Sequence, residues 1–268
     1  MMVRVGFARI LAGLALAFAL TIPPGRALAE TDVDLALVIA VDISFSMDTE
    51  EQALQREGFA QAFRSKQVHD AIRGGMLGKI AVTYVEWAGA SDQKVIVPWT
   101  VLDNPESLMA FAEKIASTPL RRAQRTSISG AIDFSTKLFT ESNVTPTRRV
   151  IDVSGDGPNN QGRIVTDARK DTLAKGITIN GLPIMMRRPG YLDIADLDLY
   201  YKDCVIGGQG AFMVPVRERD QFVQAIKTKI LLEIANLTPP EGLIHRVQNV
   251  PKANCLAGEM QWRDRTYN

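Results

Sequence analysis

Two cysteines and two histidines are all that the 268 residues hold of either type. That scarcity removes zinc-type and catalytic cysteine spacings from consideration. There is no Gly-x-Ser-x-Gly elbow and no phosphate-binding glycine loop, and the histidines, His69 at a predicted helix end and His245 near the C-terminus, do not form a pair. Charge of either sign is also missing in excess. Lys and Arg number 31 against 30 Asp and Glu, a net charge of +1, which argues against nucleic acid as a partner. Ordinary apolar content argues against a disordered chain, and beyond the first thirty or so residues no apolar run reaches membrane-spanning length. No internal repeat and no low-complexity segment occurs.

The exception is the N-terminus. Arg4 and Arg9 precede an apolar run from Ile10 to Ile22, too short to cross a bilayer, and Ala27-Leu28-Ala29 offers a small-x-small cleavage site. Residues 1–29 are therefore expected to be a signal peptide, and the product to be periplasmic or secreted. No cysteine follows the run to accept a lipid, and no paired-arginine motif precedes it. The remaining ~240 residues suffice for one large α/β domain. In an exported chain two cysteines more often bond than not, so Cys204 and Cys255 are expected to pair. The bond would staple the C-terminal tail to the domain.

Apolar, β-branched runs at Val33–Val41, Ile80–Trp87, Arg149–Ser154, Ile177–Ile184 and Ala211–Val216 alternate with helical segments, the pattern of parallel strands joined by crossover helices. Helices are expected over 48–65, 103–117, 127–139, 162–175 and 219–235, with a short one within 192–206. Val95–Trp99, short and interrupted by Pro98, reads as an antiparallel edge strand. The fold class is α/β: a doubly wound, mostly parallel sheet with helices on both faces, occupying residues 30–236. Residues 237–268 show no sustained period and read as a tail.

"AVDISFSMDTEE" is the informative stretch. Asp42, Ser44 and Ser46 alternate just where a buried strand ends, so their side chains point one way. Helix capping needs one such oxygen, not three converging ones, and three suit a hard cation. A second acid, Asp156 in "SGDGPNNQG", follows the end of the Arg149–Ser154 strand. If these strands are central neighbours where the winding reverses, the two acids face each other across the crevice. Thr126 and Ser127 open a helix at the same edge.

In these residues the chain resembles the von Willebrand factor A-type domain, whose metal-ion-dependent adhesion site runs Asp-x-Ser-x-Ser, then a loop threonine, then a loop aspartate. The match is Asp42-Ile43-Ser44-Phe45-Ser46, Thr126 in "RTSISGAI" and Asp156 in "SGDG". It extends from about Asp32 to Ala235. "SGDGPNN" and "CVIGGQGAFMVPV" look most like a branch of exported bacterial proteins. The resemblance implies a magnesium ion, with manganese or calcium as substitutes, held by Asp42, Ser44, Ser46, Thr126 and Asp156. It implies a partner protein that adds an Asp or Glu carboxylate at an open coordination position, and no catalysis. Two departures stand out: Arg125 replaces a glycine common in relatives, and Gly155 is inserted before Asp156.

Arg121, Arg122 and Arg125 are candidates for a basic rim, or for a solvated loop. Asn159 and Asn160 are candidate outer-shell ligands. Asp152 interrupts an apolar strand and reads as a structural hydrogen-bonding residue. Asp193, Asp196 and Asp198 begin like a calcium loop but lack its glycine and closing glutamate, so they read as a solvated helix start. The alternatives in other classes are a metal-assisted hydrolase using the same cation and a periplasmic small-ligand receptor, which usually has two lobes where this chain shows one.

Overall fold

The computed structural model describes residues 30–186, 194–237 and 252–266. The expected signal peptide, Asp193 and His245 lie outside them. One sheet has the strand order β3-β2-β1-β4-β5, with β1 Thr31–Asp42, β2 Ile80–Trp87, β3 Gln93–Leu102, β4 Val144–Gly155 and β5 Thr178–Pro183. All neighbours run parallel except β3, which pairs antiparallel with β2 at the edge. The helices are α1 Thr49–Arg64, α2 Lys66–Arg73, α3 Pro105–Ser117, α4 Ile128–Leu138, α5 Val165–Leu173, α6 Leu197–Tyr200, α7 Phe222–Ala235 and α8 Ala257–Thr266.

Strand alternation sorts β1 between two cores. Leu35, Leu37 and Ile39 pack with Phe59, Phe63, Phe111 and Phe222 of α1, α3 and α7. Val38 and Ala40 pack on the other face with Ile132, Ala168 and Tyr200 of α4, α5 and α6. Burial on both faces explains why this strand reads as a continuous apolar run. The expected doubly wound sheet is the one found.

Three local expectations are corrected. The helix expected over 48–65 stops at Arg64, because Ser65 leaves helical conformation and caps α2 instead, its Oγ accepting from the Val68 N–H at 3.3 Å. Ala211–Val216 does not form a regular strand. It runs beside β5 through single bridges at Met213 and Val216; the Val214 and Val216 N–H groups donate to Gly181 and Pro183, but Pro183, lacking an N–H, cannot return the bond that would join the bridges into a ladder. The tail is not featureless: α8 follows Cys255, which is bonded to Cys204. The apolar side chains of α8 are few, so periodicity could not announce it.

Asp152 has the structural role read from the sequence. On β4, it forms an ion pair with Lys229 of α7, whose Nζ lies 2.9 Å from its Oδ1 and 2.6 Å from Glu233 Oε1. The Asn180 amide donates to the other oxygen of Glu233 at 2.8 Å.

Candidate metal centre

β1 and β4 are adjacent, with Val41 opposite Ser154, and the chain leaves β1 toward one side of the sheet and reaches β4 from the other. Their carboxyl ends therefore border the crevice of the winding reversal. Asp42, wholly buried, ends β1; its Oδ1 accepts the Ser44 N–H at 2.7 Å. From there a chain of oxygens crosses the crevice: Ser44 Oγ lies 2.7 Å from Ser46 Oγ, and Ser46 Oγ donates to Asp156 Oδ1 at 2.6 Å. Four of the five expected ligands are thus brought together by contacts that span 110 positions of sequence.

Thr126, buried, comes to the same edge by a different route. The 121–126 loop pairs with the strand-end motif, the Ala123 N–H donating to the Ile43 carbonyl at 3.0 Å. Asn160 then clamps Thr126: its Oδ1 accepts the Thr126 N–H at 2.9 Å, and its own N–H donates to the Thr126 carbonyl at 2.8 Å. Asn160 is accordingly a tether between the loops that carry Thr126 and Asp156. Asn159 is a second tether, its Oδ1 accepting from the Ser129 N–H in the first turn of α4 at 3.0 Å.

The electrostatics are those of a site short of positive charge. Burial and then the neighbouring Asp156 charge push the Asp42 carboxyl well above its ordinary value. Asp42 Oδ2 is buried without a hydrogen-bond partner among the described residues, a costly state for a carboxylate oxygen. An all-oxygen set of two carboxylates and three hydroxyls fits a hard divalent cation.

The two departures find physical roles. Arg125 adopts φ +74°, the left-handed conformation that a glycine would take without strain, and its guanidinium lies 3.4 Å from the centre of the Trp262 ring in α8. The inserted Gly155 touches Asp42: a Cβ there would fall 2.9 Å from Asp42 Oδ2 and 2.9 Å from the Tyr201 hydroxyl. That hydroxyl is also buried without a partner among the described residues. The sequence offered no signal for Tyr201, which arrives on a π-helical turn, Tyr201–Val205, continuing α6. Gly155→Ala is expected to weaken cation binding about tenfold by displacing the Asp42 carboxylate. Titration with Mn²⁺ against the parent protein checks this.

Each arginine of the candidate basic rim is engaged, but only Arg121 meets a carboxylate among the described residues, so Arg122 and Arg125 keep their charge at this edge. Arg121 pairs with Asp92 at 2.7 Å. Arg122 donates to the carbonyls of Phe45 and Met47 at 2.9 and 2.8 Å, pinning the loop that carries Ser46, and Arg125 stacks on Trp262. Phe45, between the two serines, is 53% exposed. Asp198 pairs with Arg217 rather than serving a cation, and His69 lies on α2 near Asp70.

A five-stranded sheet of this order, with an Asp-x-Ser-x-Ser motif and two further loops meeting at its winding reversal, has the fold of von Willebrand factor A-type domains. The chain belongs to the family described as protein of unknown function DUF1194, whose profile matches residues 32–238. Solved structures share the fold. Proximal thread matrix protein 1 of the mussel byssus, in a structure with a zinc-occupied metal-ion-dependent adhesion site, superposes with a TM-score of 0.58 at 15% identity over 76% of this chain and 49% of that one. The pilus adhesin SpaC of Lactobacillus rhamnosus GG gives 0.59 at 9% identity, over 76% of this chain and 31% of that one. A von Willebrand factor type A protein from Catenulispora acidiphila gives 0.52 at 14% identity, covering 75% and 43%. The chain thus spans less than half the length of each. No curated protein matches it in sequence.

Proposed function

We propose that this protein is an exported module that binds another protein through a magnesium ion. The observation that carries the reading is the buried, unpartnered Oδ2 of Asp42 at one end of an oxygen chain through Ser44 and Ser46 to Asp156. Ser44 and Ser46 would hold the cation through their hydroxyls, with Thr126 from the facing loop and the charges of Asp42 and Asp156 balancing it. When bound, the ion offers a partner's Asp or Glu a charged, directional contact. Exposed Phe45 beside it supplies apolar surface of the kind protein interfaces use. The named adhesion and matrix proteins of the same fold, one with zinc at its adhesion site, support a divalent metal and a macromolecular partner. The Cys204–Cys255 bond supports an oxidising compartment, in keeping with residues 1–29 as a signal peptide.

The test is capture of a partner from the native cell envelope with magnesium and with chelator, followed by substitution in the captured partner. Binding is expected only with magnesium, and changing one exposed-loop acid of the partner to its amide should cost most of the affinity. Moderate salt should weaken the remainder mainly by slowing association. Binding that survives chelation, or that depends on no single partner acid, overturns the reading.

A further inference from the structure

α8 is attached to the domain in a way that serves the metal face more than the cores. Its apolar residue Met260 is 43% exposed and the preceding Leu256 is 39% exposed, so it contributes little hydrophobic packing. Its contacts instead converge on the two loops that hold Asp156 and Thr126. Gly258 lies against the first: a Cβ there would fall 2.1 Å from the Asn159 carbonyl oxygen and 3.2 Å from Pro158 Cγ. No side chain fits between helix and loop at that point. Beside it, Glu259 Oε1 accepts from Asn159 Nδ2 at 2.7 Å, while Asn159 Oδ1 accepts from the first turn of α4. On the second loop, Trp262 receives the Arg125 guanidinium on its ring, one residue before Thr126. The bond from Cys255 to Cys204 and the Ala253 N–H, which donates to Asp203 Oδ2 at 2.9 Å, fix where the helix begins.

We propose that α8 is a positioning element of the metal face: Gly258, Glu259 and Trp262 set the spacing of the loops that carry Asp156 and Thr126, so cation affinity depends on a helix that supplies no ligand. The inference rests on the metal-site reading above. Its physical basis is that a small divalent cation demands near-ideal ligand geometry, and outer partners that orient ligands typically change metal affinity 10–100-fold. Glu259 orients Asn159, and Asn159 joins the Asp156 loop to α4. The Arg125–Trp262 stack holds the left-handed turn that presents Thr126. Releasing α8 removes the outer contact of both loops at once and leaves them to the Asn160 and Asn159 tethers, without opening either core.

The experiment uses the full chain and Mn²⁺ as the probe, its binding followed by electron paramagnetic resonance, with urea midpoints measured in chelator. Combining Glu259→Ala with Trp262→Ala is expected to weaken Mn²⁺ binding about tenfold or more while leaving the midpoint near that of the parent. Trp262→Phe, which keeps an aromatic face for Arg125, is expected to bind nearly as the parent does. Parent-like affinity in the double variant overturns the inference while leaving the metal reading intact. So does an affinity that falls only in step with the midpoint, since the helix would then be merely structural. A parent protein that binds no Mn²⁺ overturns both.

Discussion

Asp42→Asn is expected to abolish divalent-cation binding, by at least about a hundredfold, while the cation-free protein melts no lower than the parent. The variant keeps the oxygen that accepts the Ser44 N–H. It exchanges the buried, unpartnered oxygen for an amide nitrogen and removes the repulsion with Asp156. The charge that the fold tolerates poorly without a cation is the charge that a cation requires. A pH dependence follows. Because the folded-state value of Asp42 is raised, its contribution to stability is fully present below the ordinary carboxylate range and is lost as pH rises through the raised value. In chelator, the parent should therefore lose more stability than Asp42→Asn between about pH 4 and neutrality. Glu86, Asp152 and Glu233 are also raised by burial, so the informative quantity is the difference between the two proteins. Magnesium should offset the parent's loss at neutral pH. Thermal melts with and without cation, together with Mn²⁺ titration, test this; an Asp42→Asn protein with parental affinity would refute the ligand assignment.

Lys229→Met is expected to be the most damaging single change to the fold. The Lys229 ammonium sits 99% out of solvent between Asp152 and Glu233, whose side chains are equally buried, and 4.7 Å from the centre of the Phe212 ring. Burial alone would lower its proton affinity, but the Asp152 and Glu233 charges outweigh burial and hold it above the ordinary lysine value. Without the ammonium, two carboxylates face each other in the interior. Breaking a buried pair from one side costs about 3–5 kcal/mol, a large share of the 5–15 kcal/mol that holds a typical domain together. Urea unfolding at neutral pH should show a sharply lower midpoint, partly recovered when Asp152→Asn is added. A midpoint equal to the parent's would mean that the cluster carries no such weight.

Much of the site could be read from the chain, because its parts obey local rules. Asp42, Ser44 and Ser46 are spaced by strand geometry, and Asp156 follows an apolar run whose length marks it as a strand. The sheet's order came from alternation of strands and helices together with the resemblance. The features that escaped are those fixed by encounters between distant segments. Asp152 could be recognised as needing a partner, but nothing local pointed to Lys229. Arg125 looked like a loss of glycine until Trp262 was found on its guanidinium. Tyr201 is packed into a core from a π-helical turn too short to show a period, and α8 is held by polar and covalent contacts rather than by an apolar stripe. The arginines of the 121–125 loop looked like a field of free charge because their acceptors, Asp92 and the carbonyls of Phe45 and Met47, adjoin them only after folding.

The placement of Cys255 makes redox potential a variable of this rim. Cys204 is wholly buried, so its sulfur is shielded from reductant for as long as the tail stays down. With the two sulfurs joined, α8 is held covalently against the loops after β4 and before α4. With the bond cut, the same contacts would have to hold it unaided, while the strands and the strand-end oxygens, which the bond does not touch, would stay as they are.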